Sequence, residues 1–281
     1  DRLTQSTDNL GHASHFAYDS RGNRVFHADV LGNTTLYAYD GLNRLTSVTR
    51  HLREDGTGAG AVTGQAITTF TYDGNGNLTE FTDANGNATA YTFDPLDRLT
   101  AVTYADGSTT TWAYDRNDNL TTLTDANGSV FTHTYDALDR RTGTKIARAQ
   151  NLAGTTRQSF AYDGLSCLVS ATDDNAPDDP TDDSALAFTY DSLGDILGET
   201  QDGRTVTSTF DGLGNRLSLT YPGGTALSYT YDELDRLKTV SDGGGQLASY
   251  DYIGPGRVLR RHNTNDSYVE YSYDGLRRLT S

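Results

Sequence analysis

A two-residue signature, an aromatic ring followed by aspartate, returns along the whole chain and constrains the fold more than any other feature. Its copies are Tyr18-Asp19, Tyr39-Asp40, Tyr72-Asp73, Phe93-Asp94, Tyr114-Asp115, Tyr135-Asp136, Tyr162-Asp163, Tyr190-Asp191, Phe210-Asp211, Tyr231-Asp232, Tyr252 (followed by Ile253) and Tyr273-Asp274. Seven of the eleven intervals are 21 residues and one is 20. A fixed period of this size specifies an array whose units pack mainly on their neighbours. One such array of about twelve units is expected over residues 1–281.

Each unit reads as strand, turn, strand, turn. In Thr34-Thr35-Leu36-Tyr37-Ala38-Tyr39 the rings of Tyr37 and Tyr39 share one face, and Leu36 and Ala38 take the other. The Thr, Tyr, Phe and Val of these runs suit a pleated surface. Stretches such as Asp40-Gly41-Leu42-Asn43 and Asp83-Ala84-Asn85-Gly86-Asn87 are turns, because Asp bonds its own following backbone and Gly or Asn accepts positive φ. Turn signals about every ten residues, with no helical period, predict an all-β chain of tandem hairpins in one continuous antiparallel sheet. Twenty-four strands at ~4.8 Å each would make a sheet ~115 Å wide, and accumulated twist should coil it into a spiral or a wall.

The second strand is harder to read. Leu45 and Val48, or Leu120 and Leu123, lie three apart, the wrong spacing for one strand face. Either the leucine belongs to the turn or a bulge intervenes. Three intervals of 33, 27 and 28 residues place insertions near 51–65, 145–157 and 173–184. All fall after a second strand, so one edge of the array tolerates loops and the Tyr-Asp edge tolerates none. The third, Asp173 to Ser184, is acidic and should be exposed and mobile.

Aromatics also stand two residues before the signature in ten copies, His133 and Ser208 being the exceptions. They are expected to form a ladder of cross-strand ring contacts; a stacking platform for sugars is the alternative. The repeated aspartates are expected to bond turn amides, or an arginine of a neighbouring unit such as Arg98, Arg140, Arg236 or Arg278. Eleven equivalent carboxylates point to scaffold, so no catalytic residue is expected. Nor is a metal or cofactor: the Asp73-Gly74-Asn75-Gly76-Asn77 turn lacks the bidentate glutamate of a calcium loop, and His12 and His15 have no supporting ligand. The lone Cys167 is a small apolar filler that forms no internal disulfide. A net charge of −16 repels phosphate backbones and anionic membranes, and no apolar run approaches the ~20 residues of a membrane-spanning helix. The chain has no methionine, and Asp1-Arg2-Leu3-Thr4 matches mid-repeat Asp97-Arg98-Leu99-Thr100, which predicts further repeats beyond one or both ends.

The recurring Tyr-Asp-x-x-Gly/Asp-Arg/Asn-Leu pattern resembles the YD-repeat, or Rhs-repeat, family over essentially the whole chain. The resemblance implies a spiralling β-sheet enclosing a hollow shell, as in bacterial Rhs toxins, insecticidal toxin complexes and teneurins. In the bacterial toxins such a shell holds a cytotoxic C-terminal domain, so the implied role is a non-enzymatic wall segment, secreted or at the cell surface. Its implied partners are an enclosed toxin domain, further repeats of the same chain, and secretion or surface components. The Asp-Pro-x-Gly-Leu-type core motif linked to self-cleavage in complete members is missing; Asp94-Pro95-Leu96-Asp97 lies within a repeat. A surface adhesin or filament binding glycans through its rings is the competing expectation.

Overall fold

The computed structural model describes residues 2–56, 58–175 and 183–280. Among them are 24 strands and no helix, assigned to one antiparallel sheet that does not close on itself. Every ladder described joins strands consecutive in the chain, so the topology is a meander of hairpins. By its contacts the chain divides into two compact units. The first comprises Asp1–Thr132 with Ala147–Gln150, and the second His133–Ile146 with Asn151–Ser281. Both are built from the same hairpin.

The hairpin Thr34–Tyr39 and Leu45–Arg53 settles the spacing problem of the second strand. Tyr39 faces Leu45, Ala38 faces Ser47 and Tyr37 faces Val48, so Thr46 is an extra residue. The leucine belongs to the strand, and a bulge follows it. Because the bulge adds one residue, Leu45 and Val48 both come opposite rings despite lying three apart. The same register shift precedes the signature aromatic in ten hairpins.

Burial alternates as the pleat requires. In Ala13–Tyr18, Phe16 and Tyr18 are half-buried while His15 and Ala17 are exposed. No side chain described is fully buried, and Ala28, Val102 and Ala248 are the only apolar ones below about a tenth exposure. Among the described residues each strand contacts only its neighbours in the chain, so the ring face has no second layer of strands of the kind that normally completes a core. What holds each hairpin to the next must be sought in its edges.

The insertions lengthen hairpins as well as looping. Leu45–Arg53 and Val62–Tyr72 stay paired as far as Arg53↔Val62. The loop beyond folds onto the Asp29–Asn33 turn: Asn33 Nδ2 donates to the Gly56 carbonyl at 3.2 Å, and Gly58 N donates to the Leu31 carbonyl. A Cβ on Gly58 would stand 2.2 Å from the Gly32 carbonyl carbon, so only glycine permits this approach. The second insertion is paired at its base, Lys145↔Arg157. Its end is tied to the start of the third, Thr156 Oγ1 donating to the Asp174 carbonyl at 3.0 Å. The remainder of the acidic third insertion, 176–182, expected to be exposed and mobile, lies outside the described residues.

Candidate functional site

The signature aspartate organises a five-residue turn. Asp40 Oδ1 accepts hydrogen bonds from the Leu42 and Arg44 amides at 2.8 and 2.9 Å, and Oδ2 accepts one from Arg44 Nε at 2.7 Å. The residue three after the aspartate sits in the left-handed region, as Asn43 at φ 63°, Asp97 at 61° and Gly76 at 100°. That is why Gly, Asn or Asp fills most of these positions. Where the fourth residue is asparagine its amide replaces the guanidinium, as Asn77 Nδ2 does on Asp73 at 3.0 Å.

These bonds all favour the ionised carboxyl. Donation from the Arg236 side chain comes first in holding Asp232 down at about 2. The Arg98 side chain acts alike on Asp94, and the Asn23, Asn77, Asn119 and Asn215 amides lower Asp19, Asp73, Asp115 and Asp211.

The same arginine reaches the next repeat. Arg98 Nη1 donates to the Asp115 carbonyl at 3.0 Å and to Asp118 Oδ1 at 2.6 Å, while its guanidinium lies 4.8 Å from the centre of the Tyr114 ring. Arg44 does this to Asp73 and Tyr72, Arg140 to Asp163 and Tyr162, and Arg236 to Gly254 and Tyr252. Asparagines make a lighter version: Asn23 Nδ2 donates to Asn43 Oδ1, and Asn215 Nδ2 to Asp235 Oδ1. Of the two partners expected for the signature aspartate, the turn amides are found, as at Asp94 and Asp232, and the neighbouring-unit arginine is corrected. Arg98, Arg140, Arg236 and Arg278 bind the aspartate four residues earlier in their own turn. The reach to a neighbour is made by the guanidinium's other nitrogens, where the next turn offers a carbonyl.

The signature tyrosines point the other way. Tyr114 OH donates to the Leu99 carbonyl at 3.0 Å, the first residue of the preceding unit's second strand. Tyr18, Tyr39, Tyr72, Tyr162, Tyr190, Tyr231, Tyr252 and Tyr273 bond back in the same manner, to Leu3, Arg24, Leu45, Arg141, Leu168, Arg216, Leu237 and Val258. Burial pushes the phenols of Tyr190, Tyr231 and Tyr252 up, which keeps them protonated donors. Phe93 and Phe210 have no hydroxyl to give.

The expected ladder of ring on ring is therefore not the main arrangement. Phe70 meets Phe81 at 5.5 Å and Phe188 meets Tyr190 at 6.5 Å, but the usual partner of a signature ring is a guanidinium. Facing positions are commonly aliphatic, as in Tyr37↔Val48, Tyr91↔Val102 and Trp112↔Leu123. The asparagines at the fourth turn position have no role in the sequence reading, and its arginines are placed there on a neighbour's aspartate; the restriction of that position to Arg or Asn in most copies is the signal that joins them. His12 bonds Asp8 at 2.9 Å. No group of three or more His, Cys, Asp or Glu among the described residues is placed to hold a metal ion, and no helix is long and apolar enough to cross a membrane.

The Rhs repeat family matches residues 72–109, 114–150, 190–226 and 210–247. No curated protein matches. Among solved structures, a TcdB2-TccC3 crystal structure aligns with 97% of this chain at 17% identity and a TM-score of 0.55. A Tc holotoxin pore of Photorhabdus luminescens aligns with 96% at 14% identity and a TM-score of 0.38. The chain spans 17% and 20% of the length of those two chains. The first likeness is one of fold.

Proposed function

The chain belongs to the Rhs-repeat family, and from that premise we propose that it is a non-enzymatic wall segment of a β-sheet shell enclosing a C-terminal toxin for delivery. The carrying observation is that one set of contacts, aspartate to turn, arginine forward and tyrosine back, recurs from unit to unit. Such contacts extend a sheet without converging on one site. A ring face without a second layer suits a wall, whose inner and outer surfaces meet solvent or cargo. The chemistry supports this reading too. Carboxylates held below their usual range stay ionised at neutral pH and make poor proton carriers, and the arginines beside them are fixed cations.

The TcdB2-TccC3 fold likeness supports the toxin-shell reading over an extended adhesive filament. On this reading the segment works outside the cell that makes it, secreted or at the surface of a bacterium. Its partners are further repeats, the enclosed domain and the secretion machinery that carries the whole. The test is limited proteolysis and imaging of the full-length parent protein. A hollow particle in which a non-repeat C-terminal domain resists protease until the wall is unfolded is the expected result. A thin fibre with every domain equally cleavable would overturn the proposal and favour the adhesive reading.

A further inference from the structure

Among the described residues of the second unit, one junction has neither Tyr-Asp-edge link, the tyrosine hydroxyl or the Arg or Asn donor, and its strands share a side-chain bond only near the far end, between Thr200 and Thr205 at 2.8 Å. It lies between the turns that begin at Asp191 and Asp211, across the hairpin Ile196–Gln201 and Arg204–Phe210. Phe210 supplies no hydroxyl for the Ile196 carbonyl, where Tyr231 OH reaches Arg216 O at 3.0 Å one unit later. Asp195 stands where Arg or Asn links other turns forward. An acceptor-only carboxylate cannot donate to the Asp211 carbonyl; its oxygens lie 3.7 and 3.9 Å from where a Cβ on Gly214 would stand. The junction between Phe93 and its predecessor also lacks a hydroxyl, but there Asn75 and Asn77 both donate to Asp97 at 2.7 Å.

The strands of this hairpin are weak as well. Gly198 occupies a strand interior, where it costs stability, and a Cβ there would lie 2.7 Å from Thr189 Oγ1. Ser208 stands where most units carry an aromatic, and Glu199 faces Phe188. The opposite end is tight, a two-residue turn like the one between Asp242 and Gly245. Asp202 and Gly203, at φ 49° and 78°, make the two-residue turn preferred between twisted strands. A hairpin tied at one end and unlinked at the other opens from the unlinked end.

We infer that the sheet is built to part between Ile196–Gln201 and Arg204–Phe210, opening from the Tyr-Asp edge and hinging on Asp202-Gly203. This inference concerns the sheet itself and does not depend on the toxin reading. Hydrogen exchange on the whole chain tests it. Amides pairing these two strands should exchange on the order of tenfold faster than those pairing Arg216–Thr220 with Ala226–Tyr231 or Leu237–Asp242 with Gly245–Ile253. Phe210→Tyr, which restores the donor to Ile196 O, should slow exchange at the junction on the order of fivefold and leave the two control hairpins unchanged. Adding Asp195→Arg, which can take up Asp191 and the Asp211 carbonyl, should slow it further. Equal rates at all three hairpins in the natural chain would overturn the inference. So would a folded Phe210→Tyr variant with unaltered exchange at the junction.

Discussion

The two edges of the sheet use the same turn and obey different rules. Along the Tyr-Asp edge every turn from Asp19 to Asp274 is five residues long, and most are linked to the next by Arg or Asn. Along the far edge, Asp29, Asp83 and Asp125 cap turns of the same design. There, however, lengths run from the two residues of Asp202-Gly203 to the insertions. The far-edge contacts are individual, such as Asn33 to Gly56 or Ala149 N to Ser129 Oγ. Capping alone therefore does not fix a turn's length. Length is fixed where the turn must also present a carbonyl and a ring to the guanidinium next door, since a displaced turn loses both partners together.

The most severe way to break this comparison is insertion. Three glycines placed after Leu234 on the Tyr-Asp edge should cost more than about 2 kcal/mol in urea unfolding, because the Asp232 cap, the Arg236 bond to Gly254 and its cover of the Tyr252 ring are lost at once. The same insertion after Leu152 on the far edge should cost about 0.6 kcal/mol or less, the entropy of a longer loop. Next in size is Asp232→Ala, and its effect should depend on pH. The Asp232 carboxyl sits at about 2 when folded, below its unfolded value near ~3.9, so its stabilisation is complete above pH about 4 and is lost as the pH falls toward 2. The penalty of the variant, read from thermal melts, should be full at pH 7 and shrink between pH 4 and 2.

Smaller still is Tyr252→Phe, which removes the 2.7 Å bond to the Leu237 carbonyl while keeping the ring. It should cost about 1 kcal/mol by the same unfolding assay. The weakest effect belongs to the far edge. Asn85→Ala, at an exposed position whose amide nitrogen and not its side chain bonds Asp83, should stay within about 0.5 kcal/mol.

Much of this was legible in the sequence because period and local chemistry agree. Alternation in Thr34–Tyr39 and the Asp-x-x-Gly/Asn turns specify strands and bends without reference to anything distant. Leu45 and Val48 were ambiguous because a bulge shifts the phase by one residue, and a phase shift looks like a strand end when only one strand is read. The arginines read as partners of a neighbour's aspartate, because a long side chain four residues from one aspartate and one repeat from another can serve either. The geometry lets it serve both, binding a carboxylate in its own turn and a carbonyl and ring in the next. The tyrosine hydroxyls left only the faint mark that Phe is rare at the signature. The first insertion read as a loop, yet it prolongs a hairpin as far as Arg53↔Val62, and beyond it Gly58 permits a close contact with Gly32.

The central claim is that neighbouring repeats are coupled through the arginine and tyrosine side chains of the Tyr-Asp edge. A double-mutant cycle of Arg98→Ala and Tyr114→Ala, which removes the ring as well as the hydroxyl, measured by urea unfolding with Arg50→Ala and Tyr114→Ala as the distant control pair, tests it most directly. The account predicts that the Arg98 and Tyr114 substitutions together cost clearly less than the sum of the two single costs, while the control pair adds. Additive costs for Arg98 and Tyr114, matching the control, would contradict it.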